Sequence, residues 1–307
     1  MAHEHGSGHG HSHTPADFGK AFAIGAALNI VYVIFELVFG GLSHSLALVT
    51  DAVHNMGDVL GLLLAWFTTI LGRRIPTVQR TYGLRRSSVL SSLTNAVVLI
   101  ITTSVVGYEA IRRFWNLKDV AGGTVIWVAL IGVAINAVTA FLFAAGRKGD
   151  LNLRGVFVHF TADAALALGV AVTGLVILLT GWHWLDPVIS LVLVAVILYE
   201  TWDLLRESVN LALDAVPEGI DMGEVRAYLA SLPGVTEVHD LHVWGMSTTE
   251  TALTAHLVIP VLAGSIDGLL CQAMDGLHEQ FEIVHPTLQV ETGDPAYPCH
   301  LATAGSV

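Results

Sequence analysis

Two short motifs repeat one spacing: His54 and Asp58 in "DAVHNMGD", and His159 and Asp163 in "VHFTAD". On a helix, positions i and i+4 share a face, so each motif offers an imidazole beside a carboxylate. Two such faces turned together give a His2Asp2 set. Neutral imidazole nitrogens and carboxylate oxygens at about 2.0–2.2 Å suit tetrahedral Zn2+, with Co2+ and Cd2+ as rivals. The competing role is polar glue between helices, which Ser, Thr or Asn usually fill. An Asp near the middle of a membrane helix costs about 2.5–3.5 kcal/mol, and here the cost is incurred twice in one pattern. That favours an ion site over glue. Asp51 lies three residues before His54, roughly on the same face. It fits an acceptor orienting His54, a charge in an access vestibule, or a carboxylate favoured by a helix N-terminus, and the spacing leaves these open.

The elements that position these motifs are read as membrane helices. Charged residues make up only 13% of the 307-residue chain against roughly a quarter in soluble proteins, and the mean hydropathy is +0.65. Runs long enough to span, at about 20 residues each, fall near Phe18–Leu42, Ser45–Leu71, Val89–Phe114, Thr124–Ala145, Val156–Thr180 and Leu185–Leu205. An even number puts both termini on one side. Positive charge selects that side as cytoplasmic: Arg73, Arg74, Arg80, Arg85 and Arg86 follow the second span, and Arg147, Lys148 and Arg154 follow the fourth. Arg112, Arg113 and Lys118, after the third, run against the rule. The start lacks the features of a signal peptide, so targeting rests on the first span. Compact loops and a short tail suit a bacterial inner membrane.

From Asp214 to Asp294 the composition becomes mixed and acidic, with Arg226 the sole Lys or Arg, which feeds the net charge of -12. Such a balance suits cations and argues against nucleic acid. The patterns read helix, strand, strand, helix, strand, an αββαβ order of ferredoxin-like type. The expected organisation is a tail at 1–17, a six-helix membrane domain at 18–213, a cytoplasmic domain at 214–294 and a second tail at 295–307. Two cysteines, Cys271 and Cys299, make no disulfide framework.

Taken with "SLALVTDAVHNMGDVLGLLLAW", "TYGLRRSSVLSSL" and "HDLHVW", the paired HxxxD on six spans resembles the cation diffusion facilitator family, nearest its zinc-transporting branch. The resemblance runs from Phe18 to Glu291. It implies that His54, Asp58, His159 and Asp163 form a transport site in a homodimer that exchanges a divalent metal for protons by alternating access. Histidine at both first positions favours zinc. In the cytoplasmic domain it implies regulatory Zn2+ ligands at His239, His256, His285 and Glu291. His239 and His242, three apart in an extended strand, are expected on opposite faces, so only one joins His256. The resemblance also implies a basic–acidic interlock supporting the dimer, here Arg86 with Asp214. No His, Cys or acid occurs in "GRRIPTVQRTYGLRRSS", so no additional metal site is expected there.

Cys299 and His300 are candidate soft ligands of the C-terminal tail, and His3, His5, His9, His11 and His13 in the Gly/Ser-rich start are candidate weak chelators. Asn29, Asn95 and Asn136 read as helix contacts, and Glu36, Glu109 and Glu200 as groups near helix ends. An enzyme is not expected: intramembrane hydrolysis needs an HExxH-type base, and four protein ligands leave no place for catalytic water. A membrane-bound sensor or chaperone without transport is the remaining alternative, but it has no need of ligands at membrane depth.

Overall fold

A computed structural model of the chain describes residues 18–144, 151–261 and 264–302. The N-terminal histidines lie outside the described residues. Among the described residues six helices are long and apolar enough to cross a membrane: α1 (Phe18–Leu42), α2 (Leu46–Gly72), α3 (Ser87–Arg113), α4 (Gly122–Ala144), α5 (Leu151–Thr180) and α6 (Leu185–Ala212). Their starts and ends fall close to the apolar runs. The ends that drift are those of α5 and α6, which continue into polar sequence. Helical hydrogen bonds close along the backbone whatever the side chain, so a helix outlasts its apolar stripe until something stops it. For α6 the stop is Asp214 at φ 59, followed by Pro217.

The chain divides into two compact units, residues 1–59 with 102–196 and residues 60–101 with 197–307. In the first, α4 and α5 pack most closely. A Cβ at Gly122 would meet the Gly174 carbonyl oxygen at 2.7 Å, so only glycine allows this backbone approach. Ala47, Leu48, Val125, Val128, Ala129, Val170 and Leu193 fill the core around it. Asp186, buried in the first turn of α6, caps the start of α2: it accepts from Ser45 Oγ at 2.6 Å, Leu46 N at 2.7 Å and Ala47 N at 3.2 Å. Those amides have no partner inside their own helix, and a carboxylate also suits the positive end of the dipole.

Arg113 lies 3.4 Å from Asp186 and donates to the His44 carbonyl oxygen. Its charge is therefore neutralised within the unit, which explains part of the mismatch with the positive-charge rule.

In the second unit, α7 (Met222–Ala230), β1 (Glu237–Gly245), β2 (Thr251–Val258), α8 (Ile266–Phe281) and β3 (Ile283–Glu291) give the expected αββαβ order. The sheet runs β1-β2-β3, with β1 antiparallel and β3 parallel to β2. Asp221 starts α7 by accepting from Gly223 N and Glu224 N, and Glu282 ends α8 in a left-handed cap. Val225, Leu229, Leu269, Ala273 and Leu277 of the helices bury against Val238, Leu241, Val243, Leu253 and Leu257 of the sheet. Each fully buried Leu or Val there contributes about 1.5–3 kcal/mol, which makes this the domain's own core. The opposite sheet face is left for polar residues.

Candidate metal centres

The first centre is built from α2 and α5. One helical turn separates His54 from Asp58 and His159 from Asp163, and the two pairs face each other. His54 Nε2 lies 3.3 Å from Asp163 Oδ1 and 3.8 Å from Asp58 Oδ2. His159 Nε2 lies 3.5 Å from Asp58 Oδ2 and 3.5 Å from Asp163 Oδ2. A tetrahedral ion with bonds of about 2.0–2.2 Å has ligand-to-ligand edges of roughly 3.3–3.6 Å, and three of these four contacts fall in that range, with Asp163 meeting the two imidazoles through different oxygens. The ligand atoms of His54, Asp58 and Asp163 all lie within 4.8 Å of one another. His159 stands outside that three-residue group, reaching both carboxylates from the more open side: its side chain is 40% exposed, against 4% for Asp163. Asp58 Oδ2 and Asp163 Oδ2 are buried without hydrogen-bond partners, as acceptors meant for a cation would be.

Asp51 takes a different partner from one of those open to it in the sequence. No hydrogen bond joins it to His54, and its carboxylate meets the carboxylate of Glu36 instead. Glu36 was expected near a helix end, yet it is fully buried inside α1, hydrogen-bonded to Tyr32 and Asn55. The signal available in the sequence was the uninterrupted apolar run on both sides of it.

The second centre lies on the open face of the cytoplasmic sheet. His239 and His256 are direct cross-strand partners, with ring centroids 5.2 Å apart. The His256 Nδ1 to Glu291 Oε1 distance is 2.8 Å, and His239 Nε2 to Glu291 Oε2 is 3.6 Å. The fourth member is Cys299, whose Sγ lies 3.5 Å from His256 Nδ1. Ligand atoms of all four fall within 4.8 Å of one another. Burial would push the Glu291 carboxyl up, but hydrogen bonds from Cys299 and Gln289 and the charges of His239 and His256 hold it below the usual carboxylate range.

Two expectations about this sheet need correcting. His285 does not reach the cluster. It stands six residues before Glu291 on β3, opposite Ala252, and packs edge-on against Tyr82. At roughly 3.3 Å per residue, that puts it about 20 Å along the strand from Glu291. Nor do His239 and His242 face opposite sides. A β-bulge between them pairs His239 with His256 and His242 with Thr254, so both fall on the open face. The bulge centres on Asp240 at φ 49. Its side chain holds His242 Nε2 at 3.1 Å and lies 3.6 Å from His256 Nε2, so His242 is drawn to the aspartate and away from the cluster. His300 is exposed and also stands outside it.

Arg86 and Asp214 form an ion pair within the one chain, both about half exposed. Beside it, Arg85 reaches Glu250 at 2.8 Å and Ser88 Oγ accepts from Thr248 N at 3.1 Å. The connection before α3 is thereby tied to the loop between β1 and β2.

The comparisons with known proteins follow the same division. A model described as the cation efflux transmembrane domain matches residues 22–211, and one described as the cation efflux protein cytoplasmic domain matches residues 217–293. The zinc transporter ZitB of Escherichia coli is 34% identical over 306 residues, covering 98% of this chain and 94% of the relative. The metal cation efflux system protein CzcD of Cupriavidus metallidurans is 31% identical, covering 97% and 93%. The solved metal-bound C-terminal domain of the CzcD transporter matches 24% of this chain and 99% of its own at 32% identity, with a TM-score of 0.21. With six spanning helices and both family models aligned along most of its length, the chain belongs to the cation efflux family, the cation diffusion facilitators, and is an integral membrane transporter, not an enzyme.

Proposed function

We propose that the protein exports Zn2+, and Cd2+ or Co2+ with it, from the cytoplasm in exchange for protons. The observation that carries this is the ring of His54, Asp58, His159 and Asp163, with edges of 3.3–3.8 Å. The names of relatives agree in kind: a zinc transporter, and in Bacillus subtilis a cadmium, cobalt and zinc/H(+)-K(+) antiporter that is 29% identical. Ligand chemistry supplies the exchange. Metal needs neutral imidazole and ionised carboxylate, so loading releases protons and protonation releases metal. The ion is the cargo, held at one site that opens in turn to each side.

On this reading the protein works as a homodimer in a bacterial inner membrane with both termini cytoplasmic. Residues 18–213 carry transport, and residues 214–294 sense metal. His239, His256 and Glu291 with Cys299 bind Zn2+ when it is abundant and tighten the dimer, with Arg86 and Asp214 bracing the junction. The tail histidines His3, His5, His9, His11 and His13 collect metal weakly. The test is zinc uptake by proteoliposomes holding the purified protein under an imposed pH gradient. Wild type takes up zinc and moves protons the opposite way. Zinc uptake that survives both Asp58→Ala and Asp163→Ala refutes the assigned site.

A further inference from the structure

The ligand ring accounts for the buried charges of α2 and α5, but one neighbouring group has no part in it. In α1, Tyr32 and Glu36 stand one turn apart with 1% and 0% exposure, and α2 sets Asp51 and Asn55 beside them at 3% and 2%. Glu36 Oε1 accepts from the Tyr32 hydroxyl at 2.9 Å, and Oε2 accepts from the Asn55 side-chain amide at 3.3 Å. Its remaining neighbour is the carboxylate of Asp51, which lies one turn before Asn55 on the same face of α2. An ionised carboxylate has no proton to donate, so the two carboxylates hydrogen-bond only when one of them is protonated.

The surroundings supply no alternative. Among the described residues no Lys, Arg or His forms an ion pair with Glu36 or Asp51, whereas Asp186, another deeply buried acid of the unit, has Arg113. Asp51 Oδ2 is buried with no hydrogen-bond partner. The charged groups that face the pair are His54 and Asp58 on α2 and Asp163 on α5, all felt through space by Asp51. α1 contributes the neutral Tyr32, and α4 contributes the Val128 carbonyl, 3.5 Å from the Tyr32 hydroxyl. A Cβ at Gly132 would overlap that hydroxyl, so a glycine in α4 makes the room in which Tyr32 reaches Glu36. Two ionised carboxylates at this depth, with no cation paired to either, would repel, and one shared proton removes that repulsion.

We propose that Glu36 and Asp51 form a proton-binding site of the exchange, separate from the four metal ligands. The pair shares one proton while the ligand ring holds no metal, and gives it up when metal loads. The driving charge is that of the cargo. A divalent ion on His54 and Asp58 lies within two helical turns of Asp51 along α2, where its field stabilises the second negative charge of the pair. Tyr32 and Asn55 then remain as donors to the ionised Glu36. One proton leaves for each ion bound, and the same proton, returning from the other side, favours metal release. This inference rests on the antiport reading above, which requires proton sites but assigns them only to the ligands.

The experiment counts protons against zinc in proteoliposomes of the full-length protein, with a pH dye inside and isotopic zinc outside. Glu36→Gln and Asp51→Asn are each expected to move one proton fewer per Zn2+ than wild type, with a flatter pH profile of uptake and an equilibrium zinc affinity that falls less steeply as pH falls. Glu36→Asp, which keeps a carboxyl, is expected to retain the wild-type count. Infrared difference spectra on zinc binding in detergent give a second readout. Wild type is expected to lose a protonated-carboxyl band, and Asp51→Asn to lack that change. A wild-type proton count in both neutral variants, or an unaltered band in Asp51→Asn, overturns the proposal while leaving antiport intact. If wild-type protein moves zinc with no protons at all, the antiport reading falls, and this site falls with it.

Discussion

The two candidate metal centres of this chain share a ligand vocabulary but differ in how they are built. The membrane centre takes all four members from helix faces, at i and i+4 on α2 and α5. The cytoplasmic centre takes two from paired strands, one from a strand end and one from the segment after it. The first offers two imidazoles and two carboxylates, the second two imidazoles, one carboxylate and a thiol. Oxygen and nitrogen donors exchange metal and proton readily, whereas thiolate holds Zn2+ or Cd2+ more firmly. The proposed roles, a site that lets go every cycle and a site that reports a sustained level, call for this difference.

The largest effect expected from breaking the comparison is at the membrane centre. Asp163→Ala removes one of four ligands and should lower zinc flux in proteoliposomes roughly 100-fold or more, beyond what loss of a supporting group costs. A change of donor should redirect the same site. His54→Asp supplies a third hard oxygen, and competition uptake should show Mn2+ gaining on Zn2+ by about tenfold. An unchanged metal order would mean that the ring does not set selectivity.

The cytoplasmic centre should respond less in flux and more in retention. Cys299→Ser in the full-length protein should weaken Cd2+ held at equilibrium by about tenfold, and Zn2+ by less, with maximal zinc flux kept. Equal loss for both metals would argue against a thiolate ligand. Glu291 predicts a pH effect of definite sign. Because its folded carboxyl titrates below the ordinary range, the stability it contributes is present above that range and is lost as pH falls through the lower folded value. Thermal unfolding of metal-free protein should therefore decline on the acid side, and Glu291→Gln should remove that part of the decline. The smallest effect belongs to His285→Ala, which should leave equilibrium metal binding by this centre unchanged.

Six spans, the αββαβ order and the pairing of the two HxxxD motifs were legible in the sequence because each rests on local rules. Apolar length, strand alternation and the 3.6-residue turn can all be read without knowing what lies opposite. The cytoplasmic centre shows where such rules stop. "HDLH" read as a regular strand puts His239 and His242 on opposite faces, and one extra residue at Asp240 reverses that. His285 carries the right chemistry at the wrong register, while Cys299, sixty positions from His239, is brought to it only by the folded tail. Glu36 makes the same point inside the membrane unit. The sequence by itself determined which residues can hold a metal and that two helices would present them. Tertiary structure alone decided which partners each charge meets, because strand register, a bulge and the meeting of Glu36 on α1 with Asn55 on α2 depend on how separate elements pack.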